Sequence, residues 1–458
     1  MSFRRVTSAE SERDQRRVAF ALRAEGLRAG DRIAVVAHNA PEIIAVALGA
    51  LRIGVVPVMV NADLLELERQ VILEDCAARL VIDDSGVRAL IRESGGEAEL
   101  SPAPLARPMH YTSGTTGRPK GVWSGVLDDV GGAALVAEER DLWGFCAADV
   151  NLVCSPLYHS APLRFAAGTL LAGGDVVVLD KFRADVARAA IAEHSVTSAF
   201  MAPAHLSRLF DDGLTADEFR SFRLLAHAGA PCPPPVKHRT VEAFPDGSVW
   251  EFYGSTEGQF TACSTEDWST HPGSVGRARP HRELTIDETS GTIWCRVPPY
   301  ARFAYWGDEE KTAATWREDA FTVFDLGRID VDGFLYLDGR RDDLLITGGV
   351  NVYPLEIENA LSACPGVAEV SVFGLPDDHW GQRVCAAVVR SAAASGTSGA
   401  SGTSGLIVSE QSIGEFAATV LAPYKRPKTI VFVDEIPKTP TGKVRRSRLA
   451  EDLGLLSN

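Results

Sequence analysis

Two periods of apolar residues alternate along the first eighty positions. Within Ser11–Glu25, Val18, Ala19 and Leu22 share one face among Arg, Asp and Glu, which predicts an amphipathic helix. Asp31–Ala37 is a short, nearly continuous apolar run, the signature of a strand buried on both faces. The pattern then repeats: helix over Ala40–Ile53, strand over Gly54–Val60, helix over Leu64–Ala77, strand over Ala78–Ile82. Strands alternating with helices imply βαβ units and a parallel sheet. A second series follows, with strands at Asp175–Leu179, Ser198–Ala202 and Arg223–Ala228 and helices at Ala184–His194, His205–Asp211 and Pro235–Ala243.

After Gly276 the texture changes to short β-like runs such as Gly291–Val297, so a β-rich subdomain is expected over about 276–339. Past Gly333–Arg340 comes a small α+β pattern: helix Glu356–Ala363, strands Val367–Phe373 and Arg383–Val389, helix Ser409–Leu421, strand Thr429–Val433. The expected fold is therefore α/β. A large domain of stacked βαβ sheets spans 1–339 and a small C-terminal domain spans 340–458. Ser391–Gly405 is a low-complexity Ser/Gly/Thr/Ala stretch and reads as a flexible insertion.

A chain of 458 residues exceeds what one core usually supports, in keeping with this division. The net charge of −15 argues against nucleic acid as the main partner, and an anionic substrate needs a local basic site. Eight cysteines without CxxC or Cys/His spacing read as reduced thiols. Neither a signal-like h-region nor a run of about 18 apolar residues is present, so a cytoplasmic protein with no membrane span is expected.

The most informative stretch is Tyr111-Thr-Ser-Gly-Thr-Thr-Gly-Arg-Pro-Lys-Gly-Val122. Glycines allow close backbone approach, clustered N–H and O–H donors wrap phosphate oxygens, and a lysine adds a point charge. It is not a Walker motif, since no Gly-x-x-x-x-Gly-Lys-Ser/Thr occurs. The run closely resembles the phosphate loop of the adenylate-forming superfamily, closest to acyl-CoA synthetases. That resemblance makes Thr112, Ser113, Gly114, Thr115, Thr116, Gly117 and Lys120 phosphate-binding candidates.

Further motifs match the same superfamily in order. Ser155-Pro-Leu-Tyr-His-Ser-Ala161 resembles the motif whose histidine, here His159, sits beside the acid. Gly229-Ala230-Pro231 resembles the segment against adenine. Tyr253-Gly254-Ser-Thr256-Glu257 resembles the motif whose aromatic stacks on adenine, whose Thr meets phosphate and whose Glu binds Mg²⁺. The resemblance gives Asp325 and Arg340 to the ribose, although the usual Thr-Gly-Asp or Val-Gly-Asp lead-in is Val-Phe-Asp here. It makes Asp342 a hinge and the small domain mobile, and places Gly348 and Gly349 beside the CoA arm. In Pro437–Arg446 it makes Lys443 the lysine that reaches the carboxylate and α-phosphate. Tyr424–Lys428 is a second basic cluster, open between CoA phosphates and a solvated face.

The activity implied is ATP- and Mg²⁺-dependent conversion of an acid to acyl-AMP, then transfer to CoA. No Gly-x-Ser-x-Gly elbow suggests a side-chain nucleophile. Other acceptors stay open: a carrier-protein thiol, an amine, or adenylation of an inorganic oxyacid such as nitrite. A catalytically silent nucleotide-binding scaffold is opposed by the intact Glu257, Asp325, Arg340 and Lys443. A homodimer is compatible with the sequence. The N-terminal part, the 83–110 segment and the β-rich subdomain are shorter than the family pattern. Arg164 stands where the family often has an apolar residue. It suits an anionic acid, but its expected place is at the surface, snorkelling. His227 and Cys232 are further candidate pocket-wall residues.

Overall fold

The computed structural model describes residues 2–112, 119–210, 216–340, 343–347, 350–377, 380–391, 408–438 and 444–456. An eight-stranded sheet runs in the order Phe3–Val6, Asp175–Leu179, Val150–Val153, Ser198–Met201, Leu224–His227, Val249–Glu251, Thr261–Ser264, Arg277–Ala278. Its five central strands pair in parallel, while Phe3–Val6 and the last two strands pair antiparallel. A six-stranded sheet runs Ala304–Tyr305, Lys120–Trp123, Met109–Thr112, Val56–Val60, Arg32–Val36, Leu80–Asp83.

The helix Pro41–Leu51 lies between these two sheets. Every residue of it except Glu42 is buried, as expected of a helix apolar all round. Its Ile43, Ile44 and Leu48 share one core with Ile33 and Val35 of the smaller sheet and Val153, Val176 and Val178 of the larger. Gly49 makes the contact with helix Ser8–Ala24 possible, because a Cβ there would lie 2.6 Å from the Gln15 carbonyl oxygen. Helix Ser160–Leu171 joins the same core through Leu163, Ala166 and Leu170.

The predicted strands and helices recur with ends shifted by a few residues, the usual uncertainty of such boundaries. Three longer helices lay outside the sequence reading, Asp84–Arg92, Asp129–Trp143 and Ser160–Leu171, as did the short helices Thr265–Thr270, Glu309–Thr315 and Arg446–Asp452. Asp84–Arg92 begins in Asp-Asp-Ser-Gly, which looks like a turn, but Asp83 caps it by accepting from Ser85 N and Gly86 N. The β-rich segment contains the four-stranded sheet of Glu283–Ile286, Ile293–Arg296, Ala320–Phe321 and Trp316–Arg317, and the pair Asp325–Ile329 with Leu335–Arg340. It is less separate than expected, because Ala304–Tyr305 pairs back onto Val122 and Trp123.

The C-terminal part forms its own sheet. Gly381–Arg390 pairs with Val367–Asp377, with Leu345–Thr347 and, in parallel, with Thr429–Phe432. Helices Pro354–Ser362 and Glu410–Val420 cover it through Ile357, Leu361, Ile413 and Ala417. The stretch 392–407 lies outside the described residues, and with it nearly all of the predicted insertion. No described helix is long and apolar enough to cross a membrane.

Three histidines are held neutral inside this frame. Burial pushes His110 and His205 down to about 4. Burial, then the charge of Lys237, holds His227 well below its ordinary value. Each binds its proton more weakly folded than unfolded, so the unfolded chain gains protons first as pH falls. For His110 and His205 that contribution is intact above about pH 6.5 and is lost progressively down to about pH 4. The denaturant midpoint should therefore fall steadily across that window, and His205→Gln should flatten the slope. A midpoint constant from pH 7 to 5 would contradict this.

Candidate active site

The phosphate motif is built as a hairpin. Met109–Thr112 pairs antiparallel with Lys120–Trp123, with His110 opposite Val122 and Thr112 opposite Lys120. Ser113, Gly114, Thr115, Thr116 and Gly117 lie outside the described residues, as does the Thr112 side chain. The two strands that carry the loop are fixed from three directions. The Tyr111 phenol donates to Asp75 Oδ2 at 2.5 Å. His110 Nδ1 lies 2.8 Å from the Tyr158 carbonyl oxygen, a contact in which the neutral ring donates. Lys120 Nζ donates to Asp308 Oδ2 at 2.5 Å.

His110 thus ties the phosphate strand to the acid motif. Residues 155–159 are also pinned by Asn39, which donates to the Ser155 carbonyl at 3.1 Å and accepts from Leu157 N at 2.8 Å. His159 then stands at the N-cap of helix Ser160–Leu171, with its ring 4.4 Å from that of Tyr158.

Glu257 is buried, and its Oε1 accepts from the Tyr305 phenol at 2.9 Å. Burial, then the negative charge of Glu257, pushes the Tyr305 phenol up, so it stays a donor. Arg107 donates to the Glu257 carbonyl at 3.0 Å and to the Arg302 carbonyl at 3.2 Å. A carboxylate with one engaged oxygen fits Mg²⁺, which takes one or two protein carboxylates and otherwise phosphate oxygens and water. Among the described residues no group of three or more His, Cys, Asp or Glu forms a metal cage.

The nucleoside side is equally ordered. Tyr253 OH donates to Asp325 Oδ2 at 2.5 Å. Register places Asp325 opposite Arg340, whose side chain lies outside the described residues. Gly229 has φ +94°, and nothing lies within 4 Å of where its Cβ would be, so the Gly229–Pro231 turn presents an open backbone face. A Cβ on Gly254 would lie 2.8 Å from the Gly258 carbonyl oxygen, which explains the glycine after Tyr253. Thr256 lies between these groups and Glu257 on the same turn. Asp342, Gly348, Gly349 and Lys443 lie outside the described residues.

The phosphate loop, Glu257 and the Tyr253–Asp325 pair are therefore connected through one wall of contacts. The AMP-binding enzyme model matches residues 1–101 and 101–298, and the AMP-binding enzyme C-terminal domain model matches 356–443. The chain belongs to the AMP-binding enzyme family. It is 30% identical to the fatty acid–[acyl-carrier-protein] ligase ScoC of Streptomyces coeruleorubidus, over 98% of this chain and 92% of that protein. It is also 30% identical to the long-chain-fatty-acid–CoA ligase FadD13 of Mycobacterium tuberculosis, over 98% and 93%. O-succinylbenzoate CoA synthetase (MenE) of Bacillus subtilis, solved with ATP and magnesium ion, superposes with a TM-score of 0.81 at 27% identity, covering 96% and 94% of the two chains. This is an adenylate-forming enzyme of the AMP-forming acid–CoA ligase type, with a large N-terminal and a small C-terminal domain.

Membership explains some departures and corrects others. Phe324, which replaces the usual glycine before Asp325, has φ +63°. The position demands a left-handed backbone that glycine adopts freely and phenylalanine does not. This AMP-binding enzyme keeps the geometry despite the strain. Arg164 does not snorkel to the surface. It turns inward, where its Nε lies 3.3 Å from Glu139 Oε2, and two of its nitrogens are buried. His227 does not line the acid side. It is fully buried, and its Nε2 lies 2.6 Å from Lys237 Nζ on the opposite face of the sheet from Ala226 and Ala228. Cys232 lies near that pair, its thiol pushed up to about 12 by burial.

The basic cluster at Tyr424–Lys428 is partly structural. Lys425 pairs with Glu356 at 2.5 Å, and Arg426 donates to the Leu421 and Ala418 carbonyls. Lys428 sits 4.3 Å from the Trp380 ring centroid. Sequence reasoning missed Asn39, Arg107, Tyr305 and Asp308. The signal available for Tyr305 and Asp308 was Tyr-Trp-Gly-Asp, an aromatic followed by a helix N-cap, since Asp308 accepts from Lys311 N.

Lys120 is held by Asp308, so a phosphate-binding role for it requires release of that contact. Lys120→Ala should raise the KM for ATP about tenfold, in line with the loss of one charge-assisted contact. Asp308→Asn keeps the helix cap and removes the competing charge, so it should leave that KM unchanged or lower. A rise with Asp308→Asn equal to that of Lys120→Ala would show that the pair acts as one unit. Phe324→Gly should raise stability by about 0.5–1 kcal/mol through relief of the left-handed strain, read from the denaturant midpoint.

Proposed function

We propose that this enzyme activates a carboxylic acid as acyl-AMP with release of pyrophosphate, then passes the acyl group to CoA. The observation that carries the reading is the joining of Glu257, Tyr305 and Lys120 by one continuous wall, with Tyr253 hydrogen-bonded to Asp325 beside it.

Residues 112–120 hold the departing β- and γ-phosphates, with Lys120 released from Asp308. Glu257 is the carboxylate that holds Mg²⁺, which when bound neutralises phosphate charge. Thr256 donates to phosphate. Tyr253, Gly229, Ala230, Pro231 and Gly254 form the adenine face, and Asp325 with Arg340 takes the ribose. An acid oxygen attacks the α-phosphorus near His159, with Lys443 supplying positive charge to the developing oxyanions. The small domain then turns at Asp342, withdrawing Lys443 and bringing Gly348 and Gly349 to the acyl carbon, where the CoA thiolate displaces AMP.

A carrier-protein thiol is the second acceptor, favoured by the 30% identity to an acyl-carrier-protein ligase. ATP–pyrophosphate exchange with an acid panel and no CoA tests the first step. Added CoA should then give a thioester and AMP. Lys443→Ala should abolish exchange while sparing thioester formation from a supplied acyl-AMP. Loss of both activities would contradict the two-pose scheme.

A further inference from the structure

A cluster of buried ionic groups beside the acid motif has more positive charge than its partners absorb. Helix Asp129–Trp143 contributes two glutamates. Glu138 is fully engaged, accepting from Arg282 at 2.8 and 3.0 Å and from the Tyr300 phenol at 2.8 Å. Glu139 accepts from Arg279 at 2.7 Å and from the Trp143 indole at 3.0 Å. Burial opposes the charge of Glu139, but Arg164 and Arg279 outweigh it and hold the carboxyl down at about 2. Arg107 lies close enough for Arg282 to add to its burial penalty, and together they bring it down to about 10.

Arg164 is the member left short. Among the described residues its buried Nε and Nη2 have no hydrogen bond, and its one ion pair, to Glu139, is long at 3.3 Å. Buried guanidinium groups are normally matched by acceptors, because an unpaired buried charge is costly. The planar fork of Arg164 is suited to bidentate recognition of a carboxylate. Its side chain is 18% exposed as a whole, while Nε and Nη2 are themselves covered.

Position decides which carboxylate. Arg164 stands five residues beyond His159, the N-cap of this helix, and so about 7–8 Å farther along its axis. Its guanidinium lies 5.2 Å from the ring centroid of Phe252, the residue before Tyr253. The space between this helix and the sheet is filled with rings: Phe165 lies 5.2 Å from Trp143, 5.8 Å from Phe200 and 6.2 Å from Phe252. Such a wall suits a short acid rather than a long acyl chain.

We propose that the acid is a short dicarboxylic acid whose second carboxylate is held by Arg164. The first carboxylate is adenylated at the His159 end, and the second supplies the anion that the arginine cluster lacks. This rests on the acid-activating function proposed above. Arg164 is a specificity-determining residue and takes no part in bond making.

The test is ATP–pyrophosphate exchange with malonate, succinate and glutarate against propionate, butyrate and valerate, with benzoate and octanoate as references. The diacids should exceed monoacids of equal length by tenfold or more in kcat/KM. Arg164→Gln combined with Glu139→Gln removes one positive and one negative charge and so leaves the net charge of the cluster unchanged. It should lower kcat/KM for the diacid about 30- to 100-fold, the loss of one strong ionic contact, and leave monoacids unchanged. Arg164→Lys should restore part of the preference. Exchange with monoacids, benzoate or octanoate in preference to diacids overturns this inference and leaves the proposed function standing. A diacid preference unmoved in the double variant also overturns it. Absence of exchange with every acid overturns the proposed function itself.

Discussion

The hairpin that carries the phosphate loop is the constraint on which the site depends. A loop rich in glycine and hydroxyl groups has high conformational entropy, and its donors converge only if its ends are fixed. Those ends are fixed by contacts to three separate regions. Asp75 takes the Tyr111 phenol, the Tyr158 carbonyl takes the His110 ring, and Asp308 takes Lys120. Each tether comes from a different part of the chain, so the two strands that flank the loop are placed by contacts across the large domain. The His110 contact also ties the acid motif to the strand before the loop.

Much of this was legible in the sequence, for physical reasons. Parallel strands buried on both faces, such as Val56–Val60, leave continuous apolar runs, and a phosphate loop leaves a distinctive string of small donors. Helix Asp129–Trp143 was missed because its glycines and alanines carry little periodicity, although Asp128 caps its start and Gly144, at φ +63°, ends it. Helix Ser160–Leu171 was hidden by Pro162, which is tolerated in a first turn. Tyr305 and Arg107 were missed for a different cause. Their importance lies in contacts to Glu257 across 48 and 150 residues, which no local pattern encodes.

The inward turn of Arg164 was the clearest misreading. A lone arginine on a helix reads as solvated, and only the fold shows that Glu139 meets it, within an ion-pair cluster that also holds Glu138, Arg279 and Arg282. Phe324 is the reverse case: the sequence marked the departure from glycine, and the backbone shows the phenylalanine held in the left-handed region before Asp325.

The two-residue strand Ala304–Tyr305 has one more consequence. Without it, Lys120–Trp123 would be the outermost strand of the six-stranded sheet, with a row of unpaired amides and carbonyls. An open edge of that kind is a template for another chain and a route to aggregation. Ala304 and Tyr305 pair with Trp123 and Val122 and occupy that side of the strand. The segment that aims a phenol at Glu257 therefore also guards the sheet's border, so that catalytic competence and resistance to self-association rest on the same few peptide bonds.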